Sequence, residues 1–192
     1  MGAFYTNLTI RIEKLPELLS TLESRCGYIS PVNDGFATLW DREFDKAEHS
    51  VVALAAKLSR QLLTVCFAVT VHDDDVLYFD LFKDGHQLDK YNSSPGYFDE
   101  SEDSPSGGNA EVLCNIFGCS NSHEIEKVLR TNDLESDVGI FATERHRRLA
   151  SLIGLPRFSV GSSFEDIAQD DLPCDLTRDQ LTQIGNPGQK NG

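Results

Sequence analysis

Residues 64–91, TVCFAVTVHDDDVLYFDLFKDGHQLDKY, decide the fold. Thr64 to Val71 is almost wholly apolar, the composition of a central strand covered on both faces rather than one alternating between core and water. Val76–Phe82 and His86–Tyr91 flank Asp84-Gly85, a pair that favours the positive φ angles of a two-residue hairpin turn. Working outward from this meander, Phe44, Ala47, Val51, Leu54, Ala55, Leu58 and Leu62 recur at helical spacing and predict an amphipathic helix just before it. Further upstream, Tyr28–Ser30 and Phe36–Trp40 read as short strands joined across the turn-rich Pro31-Val32-Asn33-Asp34-Gly35. Leu15, Leu18, Leu19 and Leu22 give a helix with Pro16 in its first turn. Phe4, Thr6, Leu8, Ile10 and Ile12 share one parity and predict a half-buried strand. The order strand, helix, strand, strand, helix, strand is that of the ferredoxin-like βαββαβ unit. The expectation is an α+β fold in which two helices cover one face of this sheet, a β-hairpin extends it at an edge, and a helical C-terminal segment follows.

Past Tyr91 the character changes. The chain is expected to divide into a sheet domain (1–91), an acidic Pro/Gly/Ser loop (92–108), a helical segment packed on the sheet (109–180) and a frayed tail (181–192). The loop carries Asp99, Glu100, Glu102 and Asp103 with no base, and like charges should keep that stretch solvated and mobile. Helices are predicted over Asn109–Phe117, Ser122–Arg130 and Asp137–Ile153, the last stopped by Gly154-Leu155-Pro156.

The 192 residues carry 17 Lys+Arg against 31 Asp+Glu, a formal charge of −14. This acidity is shared by both halves, and it disfavours nucleic acid and anionic membranes, where each phosphate contact needs a cation. Phe4–Leu8 and Gly35–Leu39 echo the strand motifs of an RNA recognition motif. However, Asp34 stands where that motif wants a base, and Thr38 where it wants a stacking ring. No apolar run is long enough to span a bilayer. The five cysteines, Cys26, Cys66, Cys114, Cys119 and Cys174, are scattered and odd in number, and read as reduced thiols in a cytoplasm.

Three strings occur together: Met1-Gly2-Ala3-Phe4-Tyr5-Thr6-Asn7, His72-Asp73-Asp74-Asp75-Val76-Leu77, and Tyr91-Asn92-Ser93-Ser94-Pro95-Gly96-Tyr97-Phe98 leading to Pro105-Ser106-Gly107-Gly108. As a set they resemble a family of uncharacterised soluble bacterial proteins, over most of the chain to about Gly161. The resemblance implies a bacterial, cytoplasmic protein and no particular activity.

Candidate sites are few. Tyr91, Asn92, Ser93, Ser94 and Tyr97 gather aromatic rings and hydrogen-bonding side chains around a Pro-Gly turn, the kind of surface a small ligand or a peptide uses. Glu144-Arg145-His146-Arg147-Arg148 is the one dense basic cluster; a solvated, salt-bridged face explains it, with Arg145 and His146 as an alternative docking patch. His72, Asp73 and Asp75 are the alternative metal ligands, although neighbouring residues at a strand end point in alternating directions, and a solvated turn accounts for the run. Ser106-Gly107-Gly108-Asn109 reads as a loop-to-helix junction, without the lysine of a phosphate-binding loop. No hydrolase, zinc-protease or dinucleotide motif is present, and no cofactor is expected. The sequence therefore points to a non-catalytic acidic binding or interaction protein, immunity-type or regulatory, whose partner is a basic protein or a small ligand. The alternative is a small hydrolase or divalent-metal-dependent enzyme using His72 and Asp73–Asp75.

Overall fold

The computed structural model describes residues 2–47, 49–98, 104–131 and 141–185. Its framework is one antiparallel sheet of β1 (Tyr5–Arg11), β2 (Gly27–Ile29), β3 (Phe36–Asp41), β4 (Val65–His72), β5 (Val76–Lys83), β6 (His86–Asn92), β7 (Ser106–Gly107) and β8 (Thr182–Ile184). The strand order is β7-β6-β5-β4-β1-β3-β2-β8. Both predicted hairpins close through paired left-handed residues: Asp84 and Gly85 at φ 53° and 85°, and Asp73 and Asp74 at 52° and 60°. These angles match the twist of the flanking strands.

Two helical layers cover the sheet. On one face lie α1 (Leu15–Thr21) and α2 (His49–Gln61); Leu18 of α1, Leu22 just after it, and Val51, Leu54 and Leu58 of α2 pack on Leu8, Ile10, Leu39, Cys66 and Ala68. The small side chains of Cys66 and Ala68 leave room for α2 to approach β4. The opposite face receives α3 (Ala110–Phe117), α4 (Ser122–Arg130) and α5 (Ala142–Ile153), which bury Val65, Phe67, Val69, Phe79, Leu81 and Tyr91. A third cluster joins Tyr28 and Trp40 to Phe158, Phe164 and Ile167, the last two from the short α6 (Phe164–Ala168). None of the described helices is long and apolar enough to cross a membrane.

Several expectations need correction. β1 is not half-buried: Tyr5 through Ile10 is buried at every position, because the C-terminal helices cover the parity left for water. Residues 182–184 are not frayed; they pair with β2, Tyr28 opposite Gln183, and Ile184 enters the core. The local sequence there is polar because an edge strand needs only one buried side chain to anchor it. The helix expected from Asp137 is described from Ala142, and Asp99–Asp103 likewise lies outside the described residues.

The two halves therefore share one core. Expressed alone, residues 1–91 would leave Phe67, Val69, Phe79, Leu81 and Tyr91 facing water on one side of the sheet. The expected outcome is an aggregated or loosely packed fragment, read as dye binding and lost near-ultraviolet dichroism. A monomeric fragment with a cooperative unfolding transition would contradict it.

Candidate functional site

The turn between β4 and β5 is where separate parts of the chain meet. Its three carboxylates diverge, each towards a different element. Asp73 Oδ1 accepts the Gly2 N–H at 3.1 Å. Asp74 Oδ1 accepts the Thr143 N–H at 2.8 Å, its carbonyl accepts Ala142 N–H, and its own N–H donates to the Ala3 carbonyl. Asp75 Oδ2 accepts the Tyr97 hydroxyl at 3.1 Å. The run His72-Asp73-Asp74-Asp75 is thus a junction: Asp74 caps α5 from outside the helix while its backbone fixes the N-terminal segment. This arrangement gives no support to a cation site, and among the described residues no group of three or more His, Cys, Asp or Glu side chains is placed to hold a metal.

The segments tied down at this turn carry aromatic rings. The Phe4 ring lies 4.7 Å from that of His72, Phe98 lies 5.2 Å and Tyr97 5.9 Å from it, and Tyr97 and Phe98 meet edge-on at 4.9 Å. Strand register places Phe4 here, since Tyr5 pairs with Val71 and the preceding residue falls beside His72. Tyr97 and Phe98 arrive through Ser93, whose N–H donates to the Leu77 carbonyl and whose Oγ accepts the Leu77 N–H. Asn92 Oδ1 then accepts the Ser94 N–H, and Pro95–Tyr97 makes one tight helical turn. Phe98 is 69% exposed, Phe4 52% and Tyr97 38%. Asp75 beside the Tyr97 phenol raises its pKa above the ordinary value.

The other sequence candidates are interior. Tyr91 stacks on Phe79 and donates its hydroxyl to the Leu129 carbonyl at 2.7 Å, so it locks the sheet to α4 instead of facing a ligand. Ser93 is buried in the role just described. Arg145, expected on a solvated face, is 1% exposed; its guanidinium donates to the carbonyls of Val128 and Thr131, at the C-terminal end of α4. A cation suits that end of a helix, where carbonyls are unsatisfied. His146 is equally buried, with Nδ1 at 2.9 Å from the Tyr5 hydroxyl. Burial, with Arg147 nearby, pulls the His146 pKa down to about 3, and burial holds the Tyr5 phenol well above its usual value.

A cleft of about 800 Å³ runs between α5 and residues 155–174, with Thr143, Ser151, Leu155, Val160 and Ser162 in its wall. Its cations, Arg147 and Arg157, are engaged by Glu144 and Asp175. The buried His146 Nε2 has no hydrogen-bond partner among the described residues. Phe4 and Phe98 are the site residues that sequence reasoning missed. Pairing Phe4 with His72 needs the β1–β4 register, although the unusual run of exposed-type aromatics at 97 and 98 was itself a usable signal.

Two outcomes follow from these roles. Replacing Asp74 by Ala should cost about 1–2 kcal/mol of stability through the lost cap, whereas Asn, which keeps an acceptor and tolerates the left-handed backbone, should cost little; urea unfolding measures both. His146 is neutral when folded but binds a proton when unfolded below pH about 6.5. Its contribution is therefore complete above that pH and is lost as pH falls, at about 1.4 kcal/mol per pH unit. His146→Gln should flatten the decline in stability between pH 6 and 4, and an unchanged slope would contradict the assignment. No protein-family model, curated protein or solved structure matches the chain, so the functional reading rests on this geometry.

Proposed function

We propose that this is a non-catalytic binding protein that engages a basic protein partner through the rings of Phe4, Tyr97 and Phe98 around His72. The observation that carries the reading is the clustering of these exposed rings on a junction cross-linked by Asp73, Asp74 and Asp75. Aromatic anchors of low conformational freedom concentrate binding energy, and a fixed backbone reduces the ordering cost of association. The net charge of −14 selects the partner class, since a cationic surface is drawn to this one at long range. The metal-dependent alternative has less support, because the carboxylates it requires are directed apart.

The same reading takes β1 to β4, with α1 and α2 on one face, as a ferredoxin-like unit; the sheet order β4-β1-β3-β2 supports it. It also takes the chain as a member of the bacterial, cytoplasmic family that its three strings resemble.

The test uses the immobilised wild-type chain and a Phe4→Ala/Phe98→Ala variant in low-salt lysate, followed by calorimetry with each purified protein that the wild type retains. The expected partner is rich in Lys and Arg, binds more weakly as salt rises, and loses about 1–3 kcal/mol with each ring removed. Unchanged affinity in the double variant, or retention only of proteins without a basic excess, would overturn the reading.

A further inference from the structure

Helix α3 ends in a geometry that brings two of the five cysteines together. Gly118 adopts the left-handed conformation (φ 79°, ψ 26°), and the N–H groups of Gly118 and Cys119 both donate to the Cys114 carbonyl, at 2.8 and 3.2 Å. This is the glycine-terminated reversal in which the residue after the left-handed position folds back over the residue five before it, usually to make an apolar contact. Here both contact positions are cysteine. Their Sγ atoms are 2.6 Å apart, about half an ångström beyond a disulfide bond and well inside ordinary sulfur–sulfur contact, with both thiols free. Cys114 is buried, while Cys119 is only partly so and can be reached from solvent.

We propose that Cys114 and Cys119 are a dithiol pair that a small-molecule disulfide, such as glutathione disulfide, closes reversibly into an intramolecular disulfide. The accessible Cys119 thiolate attacks one sulfur of glutathione disulfide, forming a mixed disulfide and releasing one glutathione thiolate. The Cys114 thiolate then attacks the Cys119 sulfur, forms the Cys114–Cys119 bond and releases the second glutathione. Two electrons pass from the protein to the oxidant, and the two thiol protons end on the two glutathione molecules. The product fixes the α3–α4 reversal covalently. Burial and the hydrogen bond to Cys114 push the Cys119 thiol up to about 11. Closure is consequently slow at neutral pH, and its rate follows the thiolate fraction.

The experiment incubates the reduced, folded protein with glutathione disulfide between pH 7 and 9, blocks the remaining thiols with iodoacetamide and maps tryptic peptides by mass. One peptide, Tyr91 to Lys127, contains both cysteines and none of the other three. It should emerge unalkylated and lighter than the reduced peptide by two hydrogen atoms, with a closing rate that rises about tenfold per pH unit. A reducing agent should restore two alkylatable thiols. Cys114→Ser should instead accumulate the Cys119–glutathione adduct, and Cys119→Ser should give no adduct at Cys114. Persistence of both thiols in the wild-type peptide, or separate glutathione adducts on each, would overturn the proposal. Because the wild-type peptide alone decides between these, failure of either variant to fold does not remove the test.

Discussion

Everything in this molecule depends on one constraint: β4 is apolar on both sides. Val65, Phe67, Val69 and Val71 point one way and Cys66 and Ala68 the other, and none is more than slightly exposed. A strand of that composition cannot rest at the surface of a two-layer structure, because leaving one face open would put Phe67 and three valines into water and leaving the other open would uncover Cys66 and Ala68. With α1 and α2 already on one side, the second cover has to come from the remainder of the chain. The C-terminal helices are thus part of the sheet's own core and not a separate appendage.

That constraint was legible in TVCFAVTV, as was the hairpin that follows it, because burial on both faces and a left-handed turn leave marks in a few consecutive residues. The helix Ser122–Arg130 could also be read to its ends, since a polar start and a regular stripe including Ile125 and Leu129 bound it. The interior places of Arg145 and His146 were hidden by composition. A run of four cations and bases suggests solvent, yet Ala142, Arg145, Leu149 and Ile153 fall on one stripe and all are buried. Periodicity held the signal, and charge overrode it. β8 escaped for the opposite reason: a three-residue strand at an edge is defined by its partner β2, and nothing in Thr182-Gln183-Ile184 names that partner.

The candidate site shows the same division between local and distant information. That the acidic run forms a turn follows from its neighbours, but the separate role of each carboxylate does not. Asp74 contacts Ala3, Ala142 and Thr143, residues far from it in sequence, and it does so because its left-handed backbone presents the N–H, carbonyl and side chain in different directions. The ring cluster is a by-product of this cross-linking. Phe4 is held because Gly2 and Ala3 are tied to the turn, and Tyr97 because Asp75 accepts its hydroxyl. A surface assembled this way is rigid without being large, since its order derives from the fold beneath it.

The distribution of the cations completes this electrostatic picture. Arg11 donates to the Ile116 carbonyl and lies over Phe36 and Phe117, Arg130 donates to the carbonyls of Gly107 and Gly108, and Arg145 to those of Val128 and Thr131. Each joins elements from different parts of the chain, and Arg178 does the same with the Ile167 carbonyl and the Tyr28 ring. Guanidinium is well suited to such cross-linking, because its planar fork satisfies two carbonyls at once and its face tolerates an aromatic neighbour. Of these guanidiniums only that of Arg145 is buried, while those of Arg130 and Arg178 remain part-exposed and also pair with Glu126 and Asp170. The arginines thus tie distant segments together, and the anionic field outside follows from the formal charge of −14. The exposed rings sit within that field at the acidic turn, where a cationic partner would be both attracted and anchored.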